Sequence, residues 1–293
     1  GALKESAKPE EIGITICGGK GRASRKTLEE IAEFGDRFSL STRKIDRLRY
    51  ASRMTAKIDS ACIQDSYTLY HHSFLLTEKG KWAVIQQGMN PANRYARRYH
   101  WLSESVKTLI EEPHNAICCN RKEESVLNMT SADSREAREI SVDIVRENPL
   151  KLQNCFCRQT LLQDFLGRKT RYMHMPKTHY IIDMNKRDME TLKRAYEIQP
   201  ESYEELLAIH GIGAKSIRAL ALISELIYGK PPDWKDPVKF SFSHGGKDSV
   251  PYPVDRETYD KSIEILKTGI EGAKIGERER LNAVKRLQDY LRY

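Results

Sequence analysis

Gly211 and Gly213 stand between two apolar runs, with Lys215, Ser216 and Arg218 directly behind them. Leu206, Leu207 and Ile209 precede the pair, and Ile217, Ala219 and Leu220 follow at helical spacing. Glycine carries no Cβ, so such a bend lets the backbone come close to a phosphate. A helix starting just after the bend points its free N–H groups and positive dipole end at the same oxygen. The chemistry expected is a grip on the sugar-phosphate backbone that reads no bases. A second group lies upstream. Phosphodiester hydrolysis calls for carboxylates and histidines around divalent cations, and Asp59, Asp65, His71, His72, Gln86 and Gln87 fall within one short stretch. There Asp65, with Asp59, would hold Mg²⁺ or Mn²⁺, and His71 or His72 would orient or deprotonate water. Arg97 and Arg98 would stabilise the charge developing at phosphorus.

Residues 206–220 resemble the helix-hairpin-helix element of DNA repair and replication proteins. That resemblance implies sequence-independent DNA binding through Gly211, Gly213, Lys215, Ser216 and Arg218. Helix-hairpin-helix glycosylases add an aspartate downstream of the hairpin lysine. Lys215 and Asp233, the latter after Gly229-Lys230-Pro231-Pro232, are similar. A base-excision glycosylase/lyase, with Lys215 forming a Schiff base and Asp233 assisting, is therefore one alternative. A non-catalytic DNA-binding adaptor is another.

These residues need elements to position them. A strand over 12–17 leads into a basic glycine-rich loop, 18–22, which lacks the Gly-Lys-Ser/Thr ending of a nucleotide-binding loop. Thr27 and Glu30 have capping-box spacing ahead of a helix over 28–34. A long helix over 42–62 is expected from Ile45, Leu48, Ala51, Thr55, Ile58 and Cys62, which mark a buried stripe. Arg49, Arg53 and Lys57 share one flank of it, so Arg53 and Lys57 are further candidates for phosphate contact. Strands over 67–77 and 81–87 flank Glu78-Lys79-Gly80, a loop that wants its glycine last. The register then pairs Thr77 with Lys81, His72 with Gln86 and, on the opposite face, His71 with Gln87. A basic helix over 91–112 is expected next, with Trp101 and Leu102 as core. Helices follow over 137–147, 186–198 and from 202, with mixed structure over 155–180, a loop over 235–256 and closing helices over 257–272 and 277–292.

Composition narrows the class. The chain has 293 residues, 39% of them hydrophobic, 49 Lys plus Arg against 41 Asp plus Glu, and a net charge of +8. That balance suits a polyanion partner. No apolar run of about 18 residues occurs, so no membrane span is expected; the location expected is cytoplasmic and nucleoid-associated. The six cysteines include no Cys-x-x-Cys pair. A zinc site from Cys118, Cys119, Cys155 and Cys157 has poor spacing, and reduced, buried thiols are the expectation.

Several longer words point to one family: Ala51-Ser52-Arg53-Met54, Leu69-Tyr70-His71-His72, Trp82 through Met89, Ala96 through Leu102, Pro113-His114, the Gly211 bend, and His244-Gly245-Gly246-Lys247-Asp248. Together they resemble the chiefly archaeal domain-of-unknown-function family 763 over nearly the whole chain. Members carry a further N-terminal segment, so residues upstream of Gly1 are expected. At His174-Met175-Pro176-Lys177-Thr178-His179 the family tends instead to an Arg-rich link. The fold expected is α+β and helix-rich: a small antiparallel sheet with helices over 1–148, a helical domain with the hairpin over 149–234, and a loop plus helices over 235–293. The function expected is a DNA-binding, metal-dependent nuclease in repair or replication, with DNA and repair or replication proteins as partners.

Overall fold

The computed structural model describes residues 13–119, 121–147 and 186–239, together with Lys4, Pro9 and Glu264. Five strands form an antiparallel sheet in the order β1-β3-β4-β5-β6: β1 (Ile14–Lys20), β3 (Thr68–Thr77), β4 (Trp82–Met89), β5 (Ala96–Leu102) and β6 (Ala116–Cys118). A separate pair joins β2 (Ile63–Gln64) to β7 (Leu127–Asn128). The helices are α1 (Thr27–Arg37), α2 (Thr42–Ala61), α3 (Arg135–Arg146), α4 (Lys186–Ile198), α5 (Tyr203–Ala208) and α6 (Ala214–Tyr228). The protein is α+β with a small antiparallel sheet.

The β3–β4 hairpin follows its turn chemistry. Gly80 sits at φ +74°, the Thr77 N–H donates to the Lys81 carbonyl, and Leu76 faces Trp82, Phe74 faces Val84 and His72 faces Gln86. This is the register expected from the loop. One face of the sheet carries Phe74, Leu76, Val84 and Trp101, all fully or almost fully buried against Leu48, Ala51, Met54 and Ile58 of α2. Each such apolar side chain contributes about 1.5–3 kcal/mol by leaving water. The stripe predicted for the long helix is buried throughout, with Cys62 capping its end.

Three local expectations are corrected. The stretch 91–112 is not a helix: β5 runs through it, with Arg97, Tyr99 and Trp101 buried and Ala96 and Arg98 exposed between them. The period is two because the arginine at 97 faces inward and belongs to the core pattern. The capping box does not form. Thr27 is already the first helical residue and its hydroxyl donates to the Ser24 carbonyl, while Glu30 accepts the Gly18 N–H and pairs with Lys4. The glycine-rich run is an extension of β1 to Lys20, continued by a 3₁₀ turn over Gly21–Lys26.

One apolar cluster joins Met54, Ile58 and Leu127 to Ala137 and Ile144 of α3, Leu192 of α4, Leu206 of α5 and Ile217 of α6. Residues 233–239 also return to the first half: Asp233 bridges Asn128, Trp234 accepts the Val126 N–H, and Lys239 pairs with Ile117. Cys155, Cys157, the segment 174–179, His244 and the closing helices lie outside the described residues. Cys17, Cys62 and Cys119 are buried free thiols, and burial pushes Cys17 and Cys62 up to about 12. Among the described residues no helix is long and apolar enough to cross a membrane.

Candidate functional site

The inward face of β5 carries a ladder of buried polar groups. At its first rung the Arg97 guanidinium donates to Asp65 at 2.9 Å and, through both terminal nitrogens, to Asp236 at 2.7 and 3.0 Å. Asp65 also accepts the Tyr99 hydroxyl at 2.6 Å and the Tyr67 N–H at 3.0 Å. Arg97 has 0% of its surface exposed. Burial works against its charge, but Asp65 and Asp236 overcome this and hold it above the ordinary guanidinium range. Burial lifts Asp65 to about 6, with Arg97, the Tyr99 hydroxyl and the Tyr67 N–H pulling it back. All three of its partners donate to it, the pattern that suits a carboxylate.

The next rung is centred on Asp59. It accepts from the Gln86 amide at 2.5 Å and the Trp101 indole at 3.1 Å, and shares a 2.5 Å hydrogen bond with the His114 ring. The Gln86 carbonyl meets His72 Nδ1 at 3.0 Å, and His72 Nε2 meets the Ser52 hydroxyl at 2.9 Å. An amide oxygen only accepts, so Nδ1 carries the proton and Nε2 receives the Ser52 hydroxyl hydrogen. Hydroxyl, imidazole and an orienting group in that order are what activate a nucleophile. Ser52, however, is 2% exposed, too enclosed for a substrate atom to reach.

Burial lowers the His72 pKa. A base whose folded pKa lies below its unfolded one adds stability above the unfolded value, about 6.5, and loses it as pH falls below that. The stability gap between the native protein and His72→Gln is therefore expected to narrow from pH 7 to pH 5, read from guanidinium denaturation midpoints at each pH.

The structure divides the expected catalytic set. Asp65 and Arg97 share one rung; Asp59, His72 and Gln86 share the next. His71, Gln87 and Arg98 lie on the opposite face of the sheet, where His71 meets the Ser73 hydroxyl and Arg98 is exposed. Both terminal nitrogens of Arg97 are engaged by two carboxylates, and its buried Nε has no partner. Among the described residues no group of three or more histidines, cysteines and acids is placed to hold a metal. Sequence reasoning missed Asp236, Tyr99 and Ser52. Tyr99 was legible in the alternation of β5, whereas nothing near Asp236 points to Arg97.

The second place is the turn between α5 and α6. Ser202 caps α5 by accepting the Glu205 N–H at 3.2 Å. Gly211 has φ +99°, and a Cβ there would stand 2.7 Å from the Thr191 hydroxyl of α4, so only glycine suits it. Gly213 is extended at φ −146° with open space around it, so its lack of a side chain is not required sterically. Ile209 and Ile212 anchor the turn in the core, leaving His210, Gly211, Ala214 and Lys215 exposed. Two carbonyls of the turn accept from cations: Lys57 donates to Ile209 at 2.8 Å and Arg194 to His210 at 3.2 Å.

Two of the predicted phosphate contacts, Ser216 and Arg218, fall in the part of α6 that is packed on all sides, from 216 to 224. Ser216 and Arg218 are buried. Arg218 is 6% exposed; its Nε donates to the Gln64 carbonyl at 2.7 Å, and its two terminal nitrogens have no partner. Burial with no facing acid pushes it down to about 10. Gln64 donates in turn to the Ala214 carbonyl, which places this guanidinium beside the first turn of α6.

The model of the family described as protein of unknown function (DUF763) matches residues 1–254. The chain belongs to this family. No curated protein and no solved structure matches it. In this DUF763 chain Lys215 and Asp233 are not joined by a hydrogen bond or ion pair. The Asp233 carboxylate instead accepts the Lys235 N–H at 3.0 Å.

Proposed function

We propose that this DUF763 protein binds DNA by its sugar-phosphate backbone, without reading sequence, through a helix-hairpin-helix element built from α5, the turn and α6. One observation carries this reading: an exposed turn, left-handed at Gly211, opens directly onto the first turn of α6. The Ile209 and His210 carbonyls accept from Lys57 and Arg194, which places two cations beside the turn together with the exposed Lys215. Helix N-termini of this kind bind phosphate oxygens through free N–H groups and the dipole. The unpartnered guanidinium of Arg218 supports the reading, since a buried cation without a counter-charge is favoured by an anion nearby.

Cleavage is not part of the proposal. Asp65 would have to leave Arg97 and Tyr99, and Asp59 would have to leave Gln86, Trp101 and His114, before either met Mg²⁺ or Mn²⁺. The test is fluorescence anisotropy on a labelled duplex of arbitrary sequence across a salt series. Exchanging Lys215 for Glu, alone and with Ala214→Glu, is expected to weaken binding about tenfold or more and to reduce the salt slope by about one. Unchanged affinity in the double variant would overturn the proposal.

A further inference from the structure

We infer that a second stretch of the same DNA duplex lies with its phosphates in a basic groove beside the first half of α2, so that the protein holds the backbone at two places about 20 Å apart. The inference rests on the hairpin reading and extends it. The groove has a volume of about 720 Å³ and is lined by Arg43, Arg47, Arg49 and Arg53 with Asp46 and Tyr50. Four cations face one acid. Arg49 meets Asp46 at 3.7 Å, and Arg53 lies over the Tyr50 ring at 5.6 Å. Arg43 and Arg47 are exposed and make no hydrogen bond or ion pair with any described residue. A concave surface with several uncompensated guanidinium groups suits a string of phosphates.

Helix geometry links the groove to the hairpin. Residues 43, 47, 50, 53 and 57 advance by three or four, so Arg43, Arg47, Tyr50, Arg53 and Lys57 share one side of α2. Lys57, last in this stripe, donates to Ile209 at the start of the hairpin turn. At about 1.5 Å per residue the stripe covers about 21 Å. One turn of B-form DNA covers about 34–36 Å, so two contacts about 21 Å apart fall within a single turn of the duplex. The acids beside the path are Asp46, which lines the groove, and Glu204. Glu204 accepts the Tyr50 hydroxyl at 2.8 Å.

The experiment uses the full chain and a 16-base-pair labelled duplex across a potassium chloride series. Arg43→Glu combined with Arg47→Glu is expected to weaken binding about tenfold and to lower the salt slope by about two, with the thermal unfolding midpoint unchanged. Lys215→Glu, measured alongside, separates this inference from the hairpin reading. Loss in both variants supports both contacts. Loss in Lys215→Glu with the arginine variant unchanged overturns the groove and leaves the hairpin standing. Loss in the arginine variant alone supports the groove and overturns the hairpin, and a native protein that fails to bind overturns both. Should the arginine pair disturb the fold, Arg43→Gln with Arg47→Gln, which removes charge and keeps length, is expected to lower the slope by the same two units; an unchanged slope in that variant overturns the groove.

Discussion

Arg97→Ala is expected to destabilise the protein by about 3–5 kcal/mol, the loss that follows when one member of a buried ionic cluster is removed. The guanidinium is fully enclosed and bridges Asp65 to both oxygens of Asp236. Without it two carboxylates are left buried with no counter-charge, and a cavity opens under the sheet. Arg97→Lys keeps the charge and gives up the two-pronged fork, so an intermediate loss is expected. The acids themselves supply a pH signature. With Arg97 gone, Asp65 moves further above the ordinary carboxylate range, and its penalty applies where it is ionised and fades as it takes up a proton. The gap between the native protein and Arg97→Ala should therefore shrink as pH falls from 7 to 4.5. Denaturant unfolding at several pH values measures both effects. A gap of under about 1 kcal/mol would mean that the cluster is not a unit.

Asp59→Ala is expected to have an effect of similar size, about 3–5 kcal/mol, for a different reason. Gln86 and Trp101 would each lose the acceptor for a buried N–H, and His114 would lose its closest partner. Asp59→Asn keeps the shape but turns one acceptor into a donor. The His114 ring can answer by moving its proton to the other nitrogen and accepting at Nε2, so about 1–3 kcal/mol is expected. The same pair of variants distinguishes a structural aspartate from a metal ligand. A structural role predicts the same loss in EDTA as in Mn²⁺. Stabilisation of the native protein by Mn²⁺ that disappears in Asp59→Asn would return this residue to the metal-binding role its sequence neighbourhood suggests.

The hairpin was legible because a glycine at the last loop position between two strand-like runs fixes the register, placing His72 opposite Gln86. The buried stripe of α2 was legible from its helical period. The strand at 96–102 was not, because two adjacent arginines read as a solvated helix face until the partners of the first are known. Those partners are remote. Asp236 is 139 residues from Arg97, and no local pattern at either end announces the pair. The burial of Ser216 and Arg218 was hidden for a related reason: α6 passes through the middle of the core, which its own sequence shows only as a run of apolar residues with polar interruptions. What sequence reading found best at the turn was Gly211, whose φ of +99° and contact with Thr191 leave no alternative.

The clasp between Arg97 and Asp236 has a bearing on how this chain is made. A ribosome releases β3, β4 and β5 long before it reaches the segment that closes over them. Until residues 233–239 emerge, Arg97 has only Asp65 as a counter-ion, and the N–H groups of Ile117, Val126 and Asn128 lack the carbonyls they meet in the finished protein. The clasp can therefore close only after residues 233–239 have left the ribosome.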